Sequence, residues 1–302
     1  MSSDISFCET IYRNFPTEMS KIENVSDTAR WVAVYRAMES ARQDAIFRDP
    51  FAARLAGQRG EAIVDNMKRG RATAWAMIVR TAVFDEIILD RVKAGGVDVV
   101  LNLAAGLDAR AWRLAVPPTL RWVDVDLPGI LDYKLDTLRN EQPVCRYEAV
   151  RLDLTDVSRR QALFAQIGAD ASRVLVVTEG LLIYLGPEDV AGLARDLQQQ
   201  ASFRWWLIDL ASPRLLKLMK KYWGRSLEEG NAPFRFGPTE GSKFFDAFGW
   251  RESQFRSTMQ EAQRLKREMP MMWLWRSLGR LRSRAAREEM SRFSGIVLLD
   301  RT

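Results

Sequence analysis

Short apolar segments alternate with amphipathic segments in the middle of the chain, and this alternation restricts the fold more than any other sequence feature. Buried strands are predicted at 98–103, 120–124, 147–152, 173–178 and 203–210. Helices are predicted between them at 128–139, 158–167 and 187–200. Strands that alternate with helices indicate a doubly wound α/β fold whose sheet is mostly parallel.

Segments on both sides of this core complete the predicted architecture. Strand-like segments at 250–256 and 293–299 extend the sheet to seven strands, and amphipathic helices are predicted from Ser26 to about Met38 and over 73–93. We therefore expect four regions, which are an N-terminal helical cap over 1–94, a Rossmann-like core over 95–256, a lid insertion over 257–292 and a closing strand over 293–302.

The 302-residue chain contains no histidine, and this excludes several kinds of active site. Ser-His-Asp and Cys-His nucleophiles cannot form, nor can zinc, haem or iron centres that need imidazole. Cys8 and Cys145 lie far apart, so we predict neither a disulfide framework nor a metal site. No apolar run approaches the roughly 20 residues of a membrane span, and the first residues do not resemble a signal peptide. A reduced, cytoplasmic protein is expected.

The positive charge of the chain is concentrated in one segment. The formal net charge is +6, and residues 264–292 alone carry nine Lys/Arg and three Asp/Glu. The rest of the chain is therefore neutral, which disfavours an extended nucleic-acid surface. Within the same segment, Met272, Trp273 and Arg276 are candidates to line a pocket for an anionic or aromatic substrate. An amphipathic helix with a solvated basic face is the alternative interpretation.

Small and acidic residues follow the first two predicted strands. The first strand runs into Ala104, Ala105 and Gly106, a turn of small residues that lets a ligand approach the backbone closely. Asp126 comes 20 residues after Gly106, the spacing at which Rossmann-like units place the carboxylate that binds ribose hydroxyls. The alternatives are an ordinary strand-to-helix turn, and a helix cap formed by Asp126 or Asp124.

The third and fourth strands also end in carboxylates, at Asp153 and Glu179. Charged groups at the tips of buried strands are costly unless they have partners. Several carboxylates suit a ligand rich in donors, with ribose hydroxyls, an adenine amino group and a sulfonium or ammonium centre. S-adenosylmethionine therefore fits better than a dinucleotide, whose phosphates carry negative charge.

Four segments, VLNLAAGLDARAWRL, WVDVDLPGILDYK, RLDLTD and VTEGLLIYL, occur in the order and spacing of a known family. With them the chain resembles the leucine carboxyl methyltransferases, a branch of the class I S-adenosylmethionine-dependent methyltransferases. The stretch DTARWVAVYRAMESARQDAIFRDPFA resembles its bacterial members, some of which methylate aromatic polyketides. The resemblance covers about 26–300. In one departure, Ala104 occupies the first position of the usual Gly-Ala-Gly turn, so we expect a reshaped turn and weaker cofactor binding.

The resemblance implies a role for individual residues. Those expected to bind the cofactor are Arg80, at its carboxylate, Ala104 and Gly106, Asp126, Asp153, Leu154 and Glu179. Glu179 and Tyr184 are the catalytic candidates, and Arg30 joins the substrate candidates.

The absence of histidine also bears on the acceptor. A carboxylate acceptor needs no general base, whereas a phenol usually benefits from one, most often a histidine. O-methylation of a small acidic or aromatic metabolite is expected, with methyl ester formation slightly favoured. Hydroxyl methylation is the first alternative, and a non-catalytic homologue that binds the cofactor is the second. The sequence leaves the acceptor and the oligomeric state open.

Overall fold

The protein is described by a computed structural model over residues 25–67, 70–229, 233–269 and 284–302. Its centre is one sheet of seven strands, which are β1 Val99–Leu103, β2 Arg121–Asp126, β3 Arg146–Arg151, β4 Val174–Thr178, β5 Phe203–Ala211, β6 Trp250–Ser257 and β7 Ser294–Arg301. The strand order is β3-β2-β1-β4-β5-β7-β6. Strands β1 to β5 are mutually parallel, and β7 pairs antiparallel with both β5 and β6. The predicted Rossmann-like sheet of seven mostly parallel strands is confirmed.

Helices surround this sheet. The α-helices are α1 Val25–Ser40, α2 Ala52–Asn66, α3 Ala74–Lys93, α4 Arg110–Arg113, α5 Pro128–Leu138, α6 Val157–Asp170, α7 Pro187–Gln198, α8 Pro213–Glu229, α9 Thr258–Arg264 and α10 Arg284–Ser291. Shorter 3₁₀ segments lie at Arg71–Thr73, Leu182–Tyr184 and Gly241–Phe248. Helix α8 and the segment Gly241–Phe248 were not predicted. Across the described ranges, no helix combines the length and the apolar character needed to cross a bilayer.

Both faces of the sheet are covered, which explains why the central strands are apolar along their whole length. Strands β1 and β4 are buried at all five positions, as expected for parallel strands with helices on each side. One face packs with helices α1 to α3 in a shared hydrophobic core, and the other packs with α6 and α7. The predicted N-terminal cap thus shares its core with one face of the sheet.

The described part of the predicted lid is tied to helix α1. Arg267 follows α9 and is buried, and its guanidinium donates to both carboxylate oxygens of Glu39 at 2.9 and 2.8 Å. Met269, exposed in the structure, is the last described residue before the gap. The substrate candidates Met272, Trp273 and Arg276 lie outside the described residues.

Candidate functional site

The carboxyl ends of β1 to β5 meet at one edge of the sheet and carry the predicted site residues. In sheet order from β3 to β5, the acidic side chains there are Asp153, Asp126, Glu179 and Asp209, and the turn 104–106 lies between the second and third of them. Ligands of open α/β sheets bind outside the carboxyl ends of the strands. This edge is the candidate site.

The turn after β1 keeps the left-handed backbone that glycine usually supplies. Ala104 has a φ of 53° and Gly106 a φ of 51°. Alanine disfavours this conformation by about 1–2 kcal/mol, so the surrounding structure holds Ala104 against its own preference. The reshaped turn and the weaker cofactor binding expected relative to the Gly-Ala-Gly sequence stay predictions. One of the contacts that fix the turn is the Ala105 N–H, which donates to the Val125 carbonyl at 3.2 Å.

Two opposite substitutions test this strain. We expect Ala104→Gly to stabilise the protein by about 0.5–1 kcal/mol, because relief of strain exceeds the added flexibility of the unfolded chain. Gly106→Ala should destabilise it by about 1–3 kcal/mol, since a Cβ at φ 51° would also lie 3.0 Å from Ala29 Cβ. Urea unfolding of both variants measures the two changes. Destabilisation by Ala104→Gly would contradict a strained turn.

Asp126 bridges the turn and the end of β2. Its carboxylate accepts the Gly106 N–H at 2.6 Å and the Leu127 N–H at 2.7 Å. Burial raises the pKa of Asp126, and the two backbone N–H groups oppose this effect. The side chain is partly exposed, so it can reach a ligand above the turn. The predicted proximity of Gly106 and Asp126 is present in the structure.

Neighbouring Asp124 has a different role. It is fully buried, and it accepts hydrogen bonds from Lys134 Nζ, Asn102 Nδ2 and Trp122 Nε1 at 2.5, 2.9 and 2.9 Å. All three partners lie inside the protein. Asp124 therefore does not cap the next helix, which was the alternative interpretation of this residue. Asp124 is therefore a structural residue beneath the site.

The end of β3 lies beside Asp126. The Leu152 N–H donates to the Asp126 carbonyl at 2.9 Å, which holds the two strand ends together. Asp153 is exposed, and its carboxylate accepts the backbone N–H and the hydroxyl of Thr155 at 2.9 and 2.7 Å. Leu154 is partly buried next to it. A polar and an apolar side chain thus border the Asp126 end of the site.

Arg80 and Glu179 form an ion pair on the other side of the turn. Arg80, in α3, donates through Nε to Glu179 at 3.0 Å and through Nη1 to Asp209 at 3.0 Å. Asp209 also accepts the Gly180 N–H at 2.7 Å. Gly180 has a φ of 70°, and a Cβ there would lie 3.0 Å from Arg80 Nη1. The glycine therefore leaves the space that the guanidinium occupies.

Sequence reasoning missed Asp209 and Arg110. Asp209 lies near the end of the fifth strand, so the rule that identified the carboxylates at the ends of the second, third and fourth strands also applies to it. Arg110 belongs to the GLDAR segment, and its guanidinium donates to Glu179 at 2.7 Å, Asp108 at 2.8 Å and Asp85 at 2.6 Å. Only the fold reveals this buried cation, because two of its partners, Asp85 and Glu179, come from segments distant in sequence.

Asp108 provides a test of this charge network by pH. Burial raises its pKa, but Arg110, Lys134 and neighbouring arginines outweigh that effect and lower the pKa to about 2, against an ordinary value of 3.8. A carboxylate whose pKa is lower in the folded state stabilises the protein above its unfolded pKa. This stabilisation, about 2 kcal/mol, is lost as the pH falls from about 4 through 2.

We therefore expect the free energy of unfolding to fall more steeply in the wild type than in Asp108→Asn below pH 4. Urea unfolding at pH 5, 4 and 3 measures the difference. Asp153→Asn is the matched control, since Asp153 is an exposed carboxylate at the same edge. Equal slopes for the wild type and Asp108→Asn would contradict the assignment.

Tyr184 and Arg30 connect the site to the N-terminal helices. Burial raises the pKa of Tyr184 to about 12, opposed by a hydrogen bond with Thr28 and by the charge of Arg80. Tyr184 is therefore neutral near pH 7. Arg30 stacks on the ring of Tyr133, with the guanidinium carbon 3.8 Å from the ring centroid. The structure thus brings Tyr184 close to Arg80 and holds Arg30 against α5.

Comparison with known proteins identifies similar chains. The profile of the leucine carboxyl methyltransferases matches residues 29–198. A Streptomyces coelicolor protein, named as a proposed S-adenosyl-L-methionine-dependent methyltransferase, is 38% identical over 186 residues, which cover 58% of this chain and 65% of that protein. A Frankia alni protein of the same description is 35% identical over 55% of this chain and 61% of its own length. The matches span slightly less than two thirds of these relatives.

Solved structures share the fold. A DUF574 family protein from Streptomyces avermitilis superposes with a TM-score of 0.58 at 14% identity, over 89% of this chain and 97% of that one. A proposed methyltransferase from Thermobifida fusca superposes with a TM-score of 0.56 at 16% identity, over 96% and 99%. At these identities the likeness concerns the fold alone.

Proposed function

Because the chain belongs to the leucine carboxyl methyltransferase family, we propose that it is an S-adenosyl-L-methionine-dependent O-methyltransferase. Its acceptor is a small acidic or aromatic metabolite, and formation of a carboxyl methyl ester is favoured over methylation of a hydroxyl. The observation that carries the proposal is the arrangement of Asp126, the turn 104–106 and the Arg80–Glu179 pair along one edge of the sheet.

The residues at this edge fit the cofactor. The hydrogen bond from the Gly106 N–H holds the Asp126 carboxylate beside the turn. On the other side, Gly180 leaves space for Arg80, a guanidinium that can bind a carboxylate bidentately. Acceptors for hydroxyl groups and a cation for a carboxylate thus lie on opposite sides of one turn, as the two ends of S-adenosylmethionine require.

Each residue has a distinct binding task in this proposal. Asp126 accepts hydrogen bonds from the ribose hydroxyls, Asp153 and Leu154 border the adenine, and Arg80 pairs with the methionine carboxylate. Ala104 and Gly106 allow close approach of the backbone, and Glu179 orients Arg80. When bound, the cofactor supplies a methyl group on a positively charged sulfur. The protein contributes mainly positioning and electrostatics.

The state of the two catalytic candidates favours a carboxylate acceptor. Tyr184, with a pKa near 12, keeps its proton at neutral pH and can act as a hydrogen-bond donor but not as a base. Both oxygens of Glu179 already accept guanidinium hydrogens, from Arg80 and Arg110. Both oxygens of Glu179 are thus engaged in holding the two arginines in place. A carboxylate is ionised near pH 7 and needs no base.

Two alternatives are distinguished by whether a labelled methyl group is transferred and to which oxygen. In hydroxyl methylation a carboxylate at this edge takes the acceptor proton, and Asp209 is the more exposed of the two that pair with Arg80, at 23% against 13% for Glu179. In a non-catalytic homologue the cofactor binds and no methyl group leaves. The feature that motivated this second alternative was a reshaped turn at Ala104. In this chain Ala104 has a left-handed backbone, with a φ of 53°.

We propose that residues 257–292 cover the acceptor and that Met272, Trp273 and Arg276 contact it, with Arg30 at the border. Hydroxybenzoic and hydroxynaphthoic acids are suitable probes because each carries both a carboxylate and a phenol. The protein is incubated with methyl-labelled S-adenosylmethionine and each probe, and the product is treated with mild base.

We expect the label to leave the product as methanol, because base hydrolyses methyl esters and spares aryl methyl ethers. A label that survives this treatment would establish hydroxyl methylation. Cofactor binding without any transfer over a broad panel of acids would favour the non-catalytic alternative. The Arg80→Gln variant is the control for background transfer.

A further inference from the structure

The opposite edge of the sheet holds a shallow, open cavity at the surface that methyl transfer does not use. It lies at the amino ends of β4 and β5, far from the strand ends that carry Glu179 and Asp209. Its volume is about 280 Å³, and the residues that line it are Arg173, Arg204, Trp205, Asp300 and Arg301. We call this cavity the arginine site. Three of its five residues are cations.

Two of these arginines lie on neighbouring strands. The antiparallel register of β5 and β7 begins with the pair Trp205 and Asp300, and Arg204 and Arg301 are the next residue on each strand. Like charges on neighbouring strands repel each other. Arg173, immediately before β4, adds a third positive charge. The fold therefore gathers positive charge here at a cost in stability.

Arg301 is held in place by neutral groups. Its Nη1 donates to the backbone carbonyls of Gln198 and Gln200 at 2.5 and 3.1 Å. Burial and the charge of Arg204 lower its pKa. The carbonyls fix the orientation of the guanidinium, but they do not neutralise its charge.

Among the residues that line the arginine site, Asp300 is the one carboxylate. Asp300 accepts the Ser253 hydroxyl at 2.7 Å, and Asp98 accepts the backbone N–H groups of Ser172 and Arg173 at 3.1 and 2.9 Å. Within the described part of the chain, Arg173, Arg204 and Arg301 form no ion pair with a carboxylate. Three guanidinium groups against one carboxylate leave an excess of positive charge at the arginine site.

We propose that the arginine site binds a phosphoryl or sulfuryl group of a small ligand. Guanidinium groups offer paired N–H donors that match the oxygens of such a tetrahedral anion. Trp205 provides an apolar wall for the part of the ligand that carries the anion. This site is separate from the cofactor edge and does not depend on the proposed methyl transfer.

The test is calorimetric titration of the whole protein with inorganic phosphate and, separately, with inorganic sulfate, at constant ionic strength kept by sodium chloride. We expect a dissociation constant on the order of 1 mM for the anion that binds more tightly. Arg204→Gln should raise this constant at least about tenfold, the effect of one lost charge-assisted hydrogen bond. Whichever anion binds more tightly identifies the group. Arg146→Gln is the matched control, an exposed arginine at the amino end of β3 outside the cavity.

Two further readouts separate binding from a structural role. Without phosphate or sulfate, Arg204→Gln should raise the melting temperature, because it removes the repulsion with Arg301. Added anion should raise the melting temperature of the wild type but not that of this variant. Asp300→Asn should tighten anion binding, since it removes the negative charge from the cavity. Equal responses of the wild type and Arg204→Gln to both anions would overturn the proposal, as would the absence of binding in the wild type.

Discussion

Replacing Arg80 with glutamine is expected to raise the dissociation constant of S-adenosylhomocysteine about 100-fold, because one or two charge-assisted hydrogen bonds of about 1.5–3 kcal/mol each are lost. Binding of methylthioadenosine should change little, since this ligand has the adenine and the ribose but lacks the methionine carboxylate. The difference between the two ligands isolates the interaction that Arg80 makes. It also provides a check on folding within the same variant.

The ion pairs around Arg80 determine how this result is interpreted. Glu179 and Asp209 hold the guanidinium from two sides at 3.0 Å, so Arg80 is oriented before any ligand binds. Asp209→Asn keeps an oxygen for the Gly180 N–H but removes the charge that faces Arg80. This variant should weaken the binding of S-adenosylhomocysteine less than Arg80→Gln does, and it should again leave the binding of methylthioadenosine unchanged.

Isothermal titration of the wild type and the variants measures these changes. Arg91→Gln is the matched control, because Arg91 lies on the same helix and contacts Trp205 at the far edge of the sheet. Equal losses for both ligands in Arg80→Gln would show that Arg80 supports the fold and not the carboxylate. If the wild type bound neither ligand, the proposed cofactor itself would be wrong.

Lys134→Met is expected to destabilise the protein by about 3–5 kcal/mol, the cost of removing one partner of a buried ion pair. Lys134 and Asp124 are both fully buried, with 2.5 Å between Nζ and Oδ2. In the variant, Asp124 keeps the hydrogen bonds from Asn102 and Trp122 but loses its counter-charge. Lys134 also donates to the Asp108 carbonyl at 2.8 Å, so the loss extends to the segment just after the turn.

Urea unfolding at pH 7 measures this effect, and Lys217→Met, at an exposed lysine of α8, is the control for the substitution itself. The double variant Lys134→Met/Asp124→Asn should recover part of the stability, because it leaves no uncompensated charge. A loss in Lys134→Met no larger than in Lys217→Met would contradict the structural importance of the pair.

The sequence alone predicted the order of the elements and their place in the fold. Strands such as β1 and β4 are recognisable in the sequence as apolar runs, because both faces of a parallel sheet are buried. Family motifs and strand-end positions then identified Asp126, Asp153 and Glu179, since a strand end is recognisable wherever an apolar run stops. Helix α8 was missed although its sequence carries the signal, because Leu215, Met219 and Tyr222 recur at helical spacing between basic residues.

Tertiary structure alone decided which charges meet. Arg80 lies 99 residues from Glu179 and 129 from Asp209, and the separation along the chain carries no information about such pairs. The same holds for Asp124. Its position in the sequence suggested a helix cap, whereas in the folded protein it is buried and pairs with Lys134. At Ala104, residue preference disfavours a left-handed backbone, yet the backbone is left-handed because the surrounding packing outweighs about 1–2 kcal/mol of local strain. Local patterns fix local structure, whereas ion pairs and strain depend on distant segments that only the folded chain brings together.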